Sequence, residues 1–174
     1  GETDPVLVLA PLRVVNAVWP EEIRKWDHLR GVTYSVITGT VKQRRRALAK
    51  KAKVYLLNYE QLPWLIEELS RNWPFKTVIA DESTRLKSFR GGFRRHPRSG
   101  KIFYAAGGGT RARALGRLAH TQVKRFVELT GTPAPNGLKD LWAQLWFLDA
   151  GKRLGTSYTA FKTRWFHTGF NGFE

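Results

Sequence analysis

The sequence predicts an α/β domain, a parallel sheet flanked by helices, from three observations. Apolar runs of strand length alternate with longer segments that carry apolar residues at helical spacing. The short runs are almost continuously apolar, which suits strands covered on both faces. The helical segments fall between or after those runs, the order of a βαβ chain.

Strands are predicted at Val6–Ala10, 33–37, 54–57, 77–80 and Arg125–Leu129, and helices at 19–29, 42–51, 61–71, 111–120 and 138–148. In the third helix Leu62, Leu65, Ile66 and Leu69 share one stripe. In the last, Leu138, Leu141, Trp142, Leu145, Trp146 and Leu148 do the same, so these tryptophans are core residues first. The basic stretch 42–53, with Arg44-Arg45-Arg46 and Lys50-Lys51, reads as an exposed helix face. From Gly151 onward Gly, Lys, Arg and aromatics mix, and Phe161-Lys-Thr-Arg-Trp-Phe166 is expected to be a small helix packing back on the core. No internal repeat or domain-length linker interrupts the chain.

Two strand ends carry the chemistry. The run ending at Ala80 delivers Asp81-Glu82, followed by Ser83-Thr-Arg-Leu-Lys-Ser88. Adjacent carboxylates repel, so their pairing at an apolar strand end persists where a cation or a reacting proton uses it; the bland alternative is a solvated turn. About forty residues later a second apolar strand closes on Thr130-Gly-Thr-Pro-Ala-Pro-Asn136, packing two hydroxyls and a glycine at its tip. Together the two ends are a specific signal.

At these residues the chain resembles the Swi/Snf-like branch of the superfamily 2 helicases and DNA translocases, of phage or bacterial type. The likeness is to the first RecA-like (DEAD/DEAH-like) lobe. Val6-Leu-Val-Leu-Ala-Pro-Leu-Arg13 with Trp19-Pro-Glu-Glu-Ile-Arg-Lys-Trp26 is similar to that family's first nucleic-acid-contacting segment and the helix behind it. Val54-Tyr-Leu-Leu-Asn-Tyr-Glu60 matches the strand and turn before the acidic motif. Asp81-Glu82 matches the acidic box, and Leu129 to Asn136 with the helix after it matches the coupling motif. The resemblance implies ATP and Mg2+ as cofactors, Asp81 holding magnesium through water and Glu82 orienting or deprotonating the attacking water. It implies that Thr130, Gly131 and Thr132 couple nucleotide state to DNA contact. Nucleic-acid contact is expected from Pro11, Leu12, Arg13, Asn58, Tyr59, Arg85, Lys87, Arg94 and Arg95. The expected partners are DNA, duplex in preference to single-stranded, and a second RecA-like lobe of the same protein.

Two departures stand out. Ser83 and Thr84 follow the acidic pair where the family has Ala or Gly and then His. No Gly-x-x-x-x-Gly-Lys-Ser/Thr occurs, and Gly107-Gly-Gly-Thr110 lacks the lysine. Residues 1–150 are therefore expected to be a partial first lobe without its amino-terminal phosphate-loop portion, with a basic Gly-rich insertion at 89–110. Residues 151–174 form the aromatic-basic tail. A chain with no methionine agrees with a piece of a longer protein, inactive alone. The missing strand would leave Arg125–Leu129 as an unpaired sheet edge, so self-association or low stability is expected.

Composition excludes several classes. A length of 174 residues with 42% hydrophobic residues fits one globular domain. Without cysteine there is no disulfide framework, thiolate metal site or cysteine nucleophile, and His28, His96, His120 and His167 are too scattered for metal-ligand spacing. With no membrane-length apolar stretch and no signal-peptide pattern, no membrane partner is expected, and the location expected is the cytoplasm of a bacterial or phage-infected cell.

The net charge of +16 is concentrated. From Ser83 through Val127 there is no Asp or Glu, while Arg85, Lys87, Arg90, Arg94, Arg95, Arg98, Lys101, Arg111, Arg113, Arg117, Lys124 and Arg125 all carry positive charge. Such a field attracts polyphosphate with strong salt dependence, the alternative being a solvated basic face. Within it, Phe93, Phe103 and Tyr104 interleave with arginine and either stack on bases or lie in a β-hairpin about residues 97–100. The competing function from another class is a non-catalytic nucleic-acid-binding module derived from such a lobe. A weaker one is a metal-dependent nuclease at Asp81 and Glu82.

Overall fold

The computed structural model of the chain describes residues 4–87, 92–95, 102–105 and 110–166. These form strands β1 (Val6–Ala10), β2 (Tyr34–Ile37), β3 (Val54–Asn58), β4 (Thr77–Asp81), β5 (Gly92–Arg95), β6 (Ile102–Ala105) and β7 (Arg125–Leu129). The α-helices are α1 (Trp19–Lys25), α2 (Val41–Leu48), α3 (Leu62–Leu69), α4 (Thr110–Gly116), α5 (Leu141–Asp149) and α6 (Tyr158–Trp165).

Five strands pair in the order β2-β3-β1-β4-β7, every pairing parallel. The fold is the RecA-like α/β arrangement expected. Central β1 explains why its run is wholly apolar, since Leu7, Val8, Leu9 and Ala10 are all fully buried between two helical layers. On one face Leu7, Leu9, Leu57, Val78 and Ala80 pack with Leu62 and Leu65 of α3, Leu115 of α4 and Phe147 of α5. On the other, Val8, Ala10 and Leu56 pack with Val15 and Trp19. The register places Ala10 opposite Asn58, Leu9 opposite Ala80 and Asp81 opposite Leu129. The carboxyl ends of four strands therefore open at one rim of the sheet.

Among the described residues β7 pairs with β4 alone and forms a sheet edge, with Leu129 43% exposed. An open strand edge of this kind presents unpaired N–H and C=O groups. β5 and β6 form a separate antiparallel pair with Phe93 opposite Tyr104, the strand pairing expected of a hairpin, while the connection between them and the aromatic side chains lie outside the described residues.

Helix limits differ from the expected ones for local reasons. The helix expected over 19–29 stops at Lys25: Trp26 is extended at φ −90°, ψ 124°, its indole donates to Glu22 at 2.6 Å, and a 3-10 turn follows at Asp27–Leu29. The helix expected over 111–120 ends at Gly116, a poor helix former, and residues 117–122 turn back on the Leu115 and Leu118 carbonyls. α2 begins with a reciprocal cap in which Thr40 accepts from the Gln43 N–H and the Gln43 side chain accepts from the Thr40 N–H. Within the basic stretch Arg44 is buried over the Trp64 ring at 4.2 Å, so only part of that helix face is solvated.

The apolar stripe of α5 is also placed differently. Phe147 is its core anchor, stacked on Phe126 at 5.4 Å, whereas Leu138 and Leu148 are exposed. α6 packs Phe161, nearly buried, against Trp142 and Ala143, as expected of a small helix returning to the core.

Candidate functional site

Asp81 ends β4 at the rim, flanked by the last residues of β1 and β7. Its Oδ2 accepts a hydrogen bond of 2.9 Å from the Trp19 indole, and its backbone carbonyl accepts one of 3.0 Å from the Tyr59 hydroxyl. The donors come from the segments following β1 and β3 and pack in the two different core layers, the indole fixing the Asp81 carboxylate and the phenol its backbone carbonyl. Burial pushes the Tyr59 hydroxyl far above its ordinary pKa, with the Asp81 charge adding to the effect, so this donor keeps its proton at any physiological pH.

Glu82 leaves the strand in the left-handed region, φ 60° and ψ 56°. For a non-glycine residue this conformation costs roughly 1 kcal/mol and needs support from its surroundings. The support is local: Glu82 Oε1 accepts from the Thr84 hydroxyl at 2.6 Å and from the Thr130 hydroxyl at 3.3 Å. Thr130 in turn accepts from the Thr132 N–H at 3.2 Å. The two strand-end motifs, forty-eight residues apart, thus meet at one carboxylate oxygen.

Beside Glu82 opens a cleft of ≈ 410 Å³ lined by Glu82, Thr84, Arg85, Lys87, Arg111 and Pro135. Glu60 gathers the arginines, Oε1 accepting from Arg111 at 3.0 Å and Arg85 at 3.4 Å, while Oε2 accepts from Asn58 at 2.9 Å. The Asn58 hydrogen bond, followed by backbone and arginine contributions, holds the Glu60 carboxyl below the usual range. Arg85 and Arg111 at this cleft are paired with Glu60, and Lys87 with Asp140.

The residues expected to contact nucleic acid divide into groups. Pro11, Leu12 and Arg13 follow β1 at the rim, with Leu12 and Arg13 exposed and the Pro11 carbonyl accepting from the Val14 and Val15 N–H groups. Arg85 is exposed at the cleft, and Lys87 is partly buried, 3.3 Å from Asp140. Asn58 and Tyr59 are buried and turned inward, where they orient Glu60 and Asp81. Arg94 and Arg95 lie on β5, and their side chains fall outside the described residues, as does most of the segment 89–110. Gly131 and Thr132 are exposed next to Thr130.

Among the described residues no group of three or more His, Cys, Asp or Glu gathers to hold a metal. Magnesium needs no such cage, since one or two carboxylates, water and substrate phosphates complete its shell. Asp81, with Oδ2 fixed by Trp19, and the adjacent Glu82 fit that pattern. No helix of the described residues is long and apolar enough to cross a membrane.

Residues 1–92, from β1 through the acidic pair and its turn, match the model of the SNF2-related domain. The chain belongs to this family. Over 167 residues the SNF2-related chain is 52% identical to a protein designated p41 of Acyrthosiphon pisum secondary endosymbiont phage 1, covering 95% of the chain and 33% of the phage protein. It is 25% identical over 153 residues to the ATP-dependent DNA helicase DDM1 of Arabidopsis thaliana, covering 85% of the chain and 17% of that protein. It is 28% identical over 170 residues to the DNA excision repair protein ERCC-6-like of Danio rerio, covering 91% and 10% respectively. The SNF2-related chain thus spans a third or less of the length of these relatives.

Several participants in this SNF2-related site escaped the sequence reading. Trp19 was visible only as a helix residue, because its reach to Asp81 depends on how α1 crosses the sheet. Glu60 and Arg111 meet through a contact fifty-one residues apart. Gln144 left a local trace, a polar residue among Trp142, Ala143 and Phe147 on an otherwise apolar helix. Such a residue buried in α5 needs partners.

Proposed function

We propose that the native protein carrying this SNF2-related domain is an ATP-dependent DNA translocase or helicase, in which this segment is part of the first motor lobe. The observation that carries the reading is the Glu82 carboxylate hydrogen-bonded to the Thr130 hydroxyl, joining the acidic pair to the coupling motif at the carboxyl rim of a parallel sheet. The relatives named for ATP-dependent helicase activity support it.

Asp81 would hold Mg2+ through water, and Glu82 would lie beside the attacking water. Bound magnesium neutralises charge on the nucleotide phosphates. The Trp19 and Tyr59 hydrogen bonds keep Asp81 in one orientation. Glu82 orients a water and accepts its proton as general base. To do so it gives up part of its present hydroxyl contacts. The longer one, to Thr130 at 3.3 Å, yields more readily than that to Thr84 at 2.6 Å. Release of Thr130 then frees the Thr130-Gly-Thr loop, which is the step that links nucleotide state to DNA contact. Pro11, Leu12, Arg13 and Arg85 lie along the same rim and would supply the phosphate contacts of a tracked duplex, with Lys87, Arg94 and Arg95 proposed as further contacts. A second RecA-like lobe of the same protein completes the charge stabilisation. The place of action proposed is the cytoplasm of a bacterial or phage-infected cell, in keeping with the phage relative.

The test is ATP hydrolysis by the native protein with and without duplex and single-stranded DNA, beside its Glu82→Gln variant. Turnover stimulated by duplex and reduced about 100-fold or more in the variant is the expected result. Salt-sensitive DNA binding without turnover would make the protein a binding module instead.

A further inference from the structure

We infer that Gln144 and Asp140, one turn apart at the start of α5, form a clamp that ties the turn after the acidic pair to the coupling loop, and that Gln144 is its positioning residue. Gln144 is 4% exposed and Ser83 fully buried, so a hydrogen bond between them is sheltered from solvent. The Gln144 amide uses both its functions. Its oxygen accepts from the Ser83 hydroxyl at 2.8 Å, and its nitrogen donates to the Pro133 carbonyl and, at 3.3 Å, to the Asp140 carbonyl. One side chain thereby holds the residue next to Glu82 and the middle of the Thr130 to Asn136 loop at once. No direct contact to a nucleotide is required of it.

Asp140 repeats the arrangement one turn earlier. Its Oδ2 receives Lys87 Nζ at 3.3 Å from the acidic side, and the Asn136 N–H and side-chain amide, both at 3.1 Å, from the loop side. The two residues stand four apart and so on one helix face. That helix is mounted rigidly, with Phe147 stacked on Phe126 and Trp142 in the cluster that holds Phe161. A displacement of the loop is therefore transmitted to Ser83, and through the left-handed Glu82 backbone to the Glu82 carboxylate, instead of being absorbed by side-chain slack.

This site also accounts for Ser83. A hydroxyl buried directly after the acidic pair requires a partner, and the partner is an amide on a helix that would otherwise be apolar there. The pair acts as a unit. Removing either member leaves the other buried without its hydrogen bond.

The inference rests on the motor reading, and the experiment separates the two. In the native protein, duplex-stimulated ATP turnover and the ATP concentration for half-saturation are measured for wild type, Ser83→Ala, Gln144→Leu, Gln144→Glu and the Ser83→Ala/Gln144→Leu double variant. Hydrogen exchange is read over residues 82–87 and 130–136 in each. The clamp predicts that either single substitution lowers the duplex-stimulated rate about tenfold while half-saturation moves less than about twofold. It predicts a double variant no worse than the worse single one, and exchange that quickens in both segments together. Gln144→Glu keeps an acceptor for Ser83 but loses the donor to Pro133, so it loses stimulation too. Independent, multiplying losses, unchanged stimulation in a folded variant, or exchange that quickens in one segment only would overturn the clamp. If wild type hydrolyses no ATP the motor reading fails, and the exchange pattern alone then decides the clamp. If Gln144→Leu does not fold, Ser83→Ala, which deletes one hydroxyl, carries the same comparison.

Discussion

At the scale of single residues, hydrogen-bond distances decide which side chains matter. The Trp19 indole reaches Asp81 at 2.9 Å and donates to an anionic acceptor, so Trp19→Phe is expected to lower ATP turnover of the native protein by about tenfold, the equivalent of one charge-assisted hydrogen bond. Steady-state rates at saturating ATP check it. Glu128 offers a second residue test. Its Oε1 is buried and without a hydrogen-bond partner among the described residues, and burial pushes the carboxyl up to about 8. A carboxyl raised in the folded state binds a proton more tightly there than in the unfolded chain. Its contribution is therefore fully present below the unfolded pKa near 4.5 and is lost as pH rises toward about 8. Glu128→Gln should abolish that loss, leaving stability near pH 4 little changed and raising it at pH 8 by on the order of 1–3 kcal/mol. Denaturant midpoints at the two pH values read this directly. The acidic pair and the threonines were legible in the sequence because each closes an apolar strand. Trp19 and Glu60 were not, because their contacts depend on how α1 crosses the sheet and on a pairing fifty-one residues long.

At the scale of elements, β7 and α5 determine behaviour. β7 lies at the edge of the described sheet with Leu129 43% exposed, so the 174-residue chain is expected to self-associate through that edge, and Leu129→Lys to reduce the association. Light scattering across a concentration series distinguishes the two. α5 is held by Phe147, fully buried against Phe126, and Phe147→Ala should cost about 3–5 kcal/mol in denaturant unfolding. The strands could be read closely from sequence, β1 and β7 to the residue, because continuous apolarity and flanking breakers coincide there. Helix ends could not. Trp26 leaves the helix for a bond to Glu22, and Gly116 ends α4, outcomes of side-chain partners and of weak local propensity that the apolar period does not encode. The stripe of α5 was misplaced by about a third of a turn because nearly every residue on it is apolar, so period alone does not say which face is inward.

At the scale of the molecule, the charge and the sheet rim work together. Arg13 follows β1 at the rim and Arg85, Lys87 and Arg111 line the cleft beside Glu82, while the net charge of +16 supplies long-range attraction to polyphosphate. Binding to duplex is expected to weaken steeply with salt. Arg13→Ala and Arg85→Ala should each flatten the log–log salt dependence by about one unit, without altering sequence preference. The most direct measurement of the central claim is displacement of a third strand from a triplex flanked by duplex, by the native protein that carries this SNF2-related domain. Movement along duplex predicts displacement that requires ATP and is lost in Glu82→Gln while DNA binding persists. Equal displacement with and without ATP, or none despite duplex-stimulated hydrolysis, would contradict it.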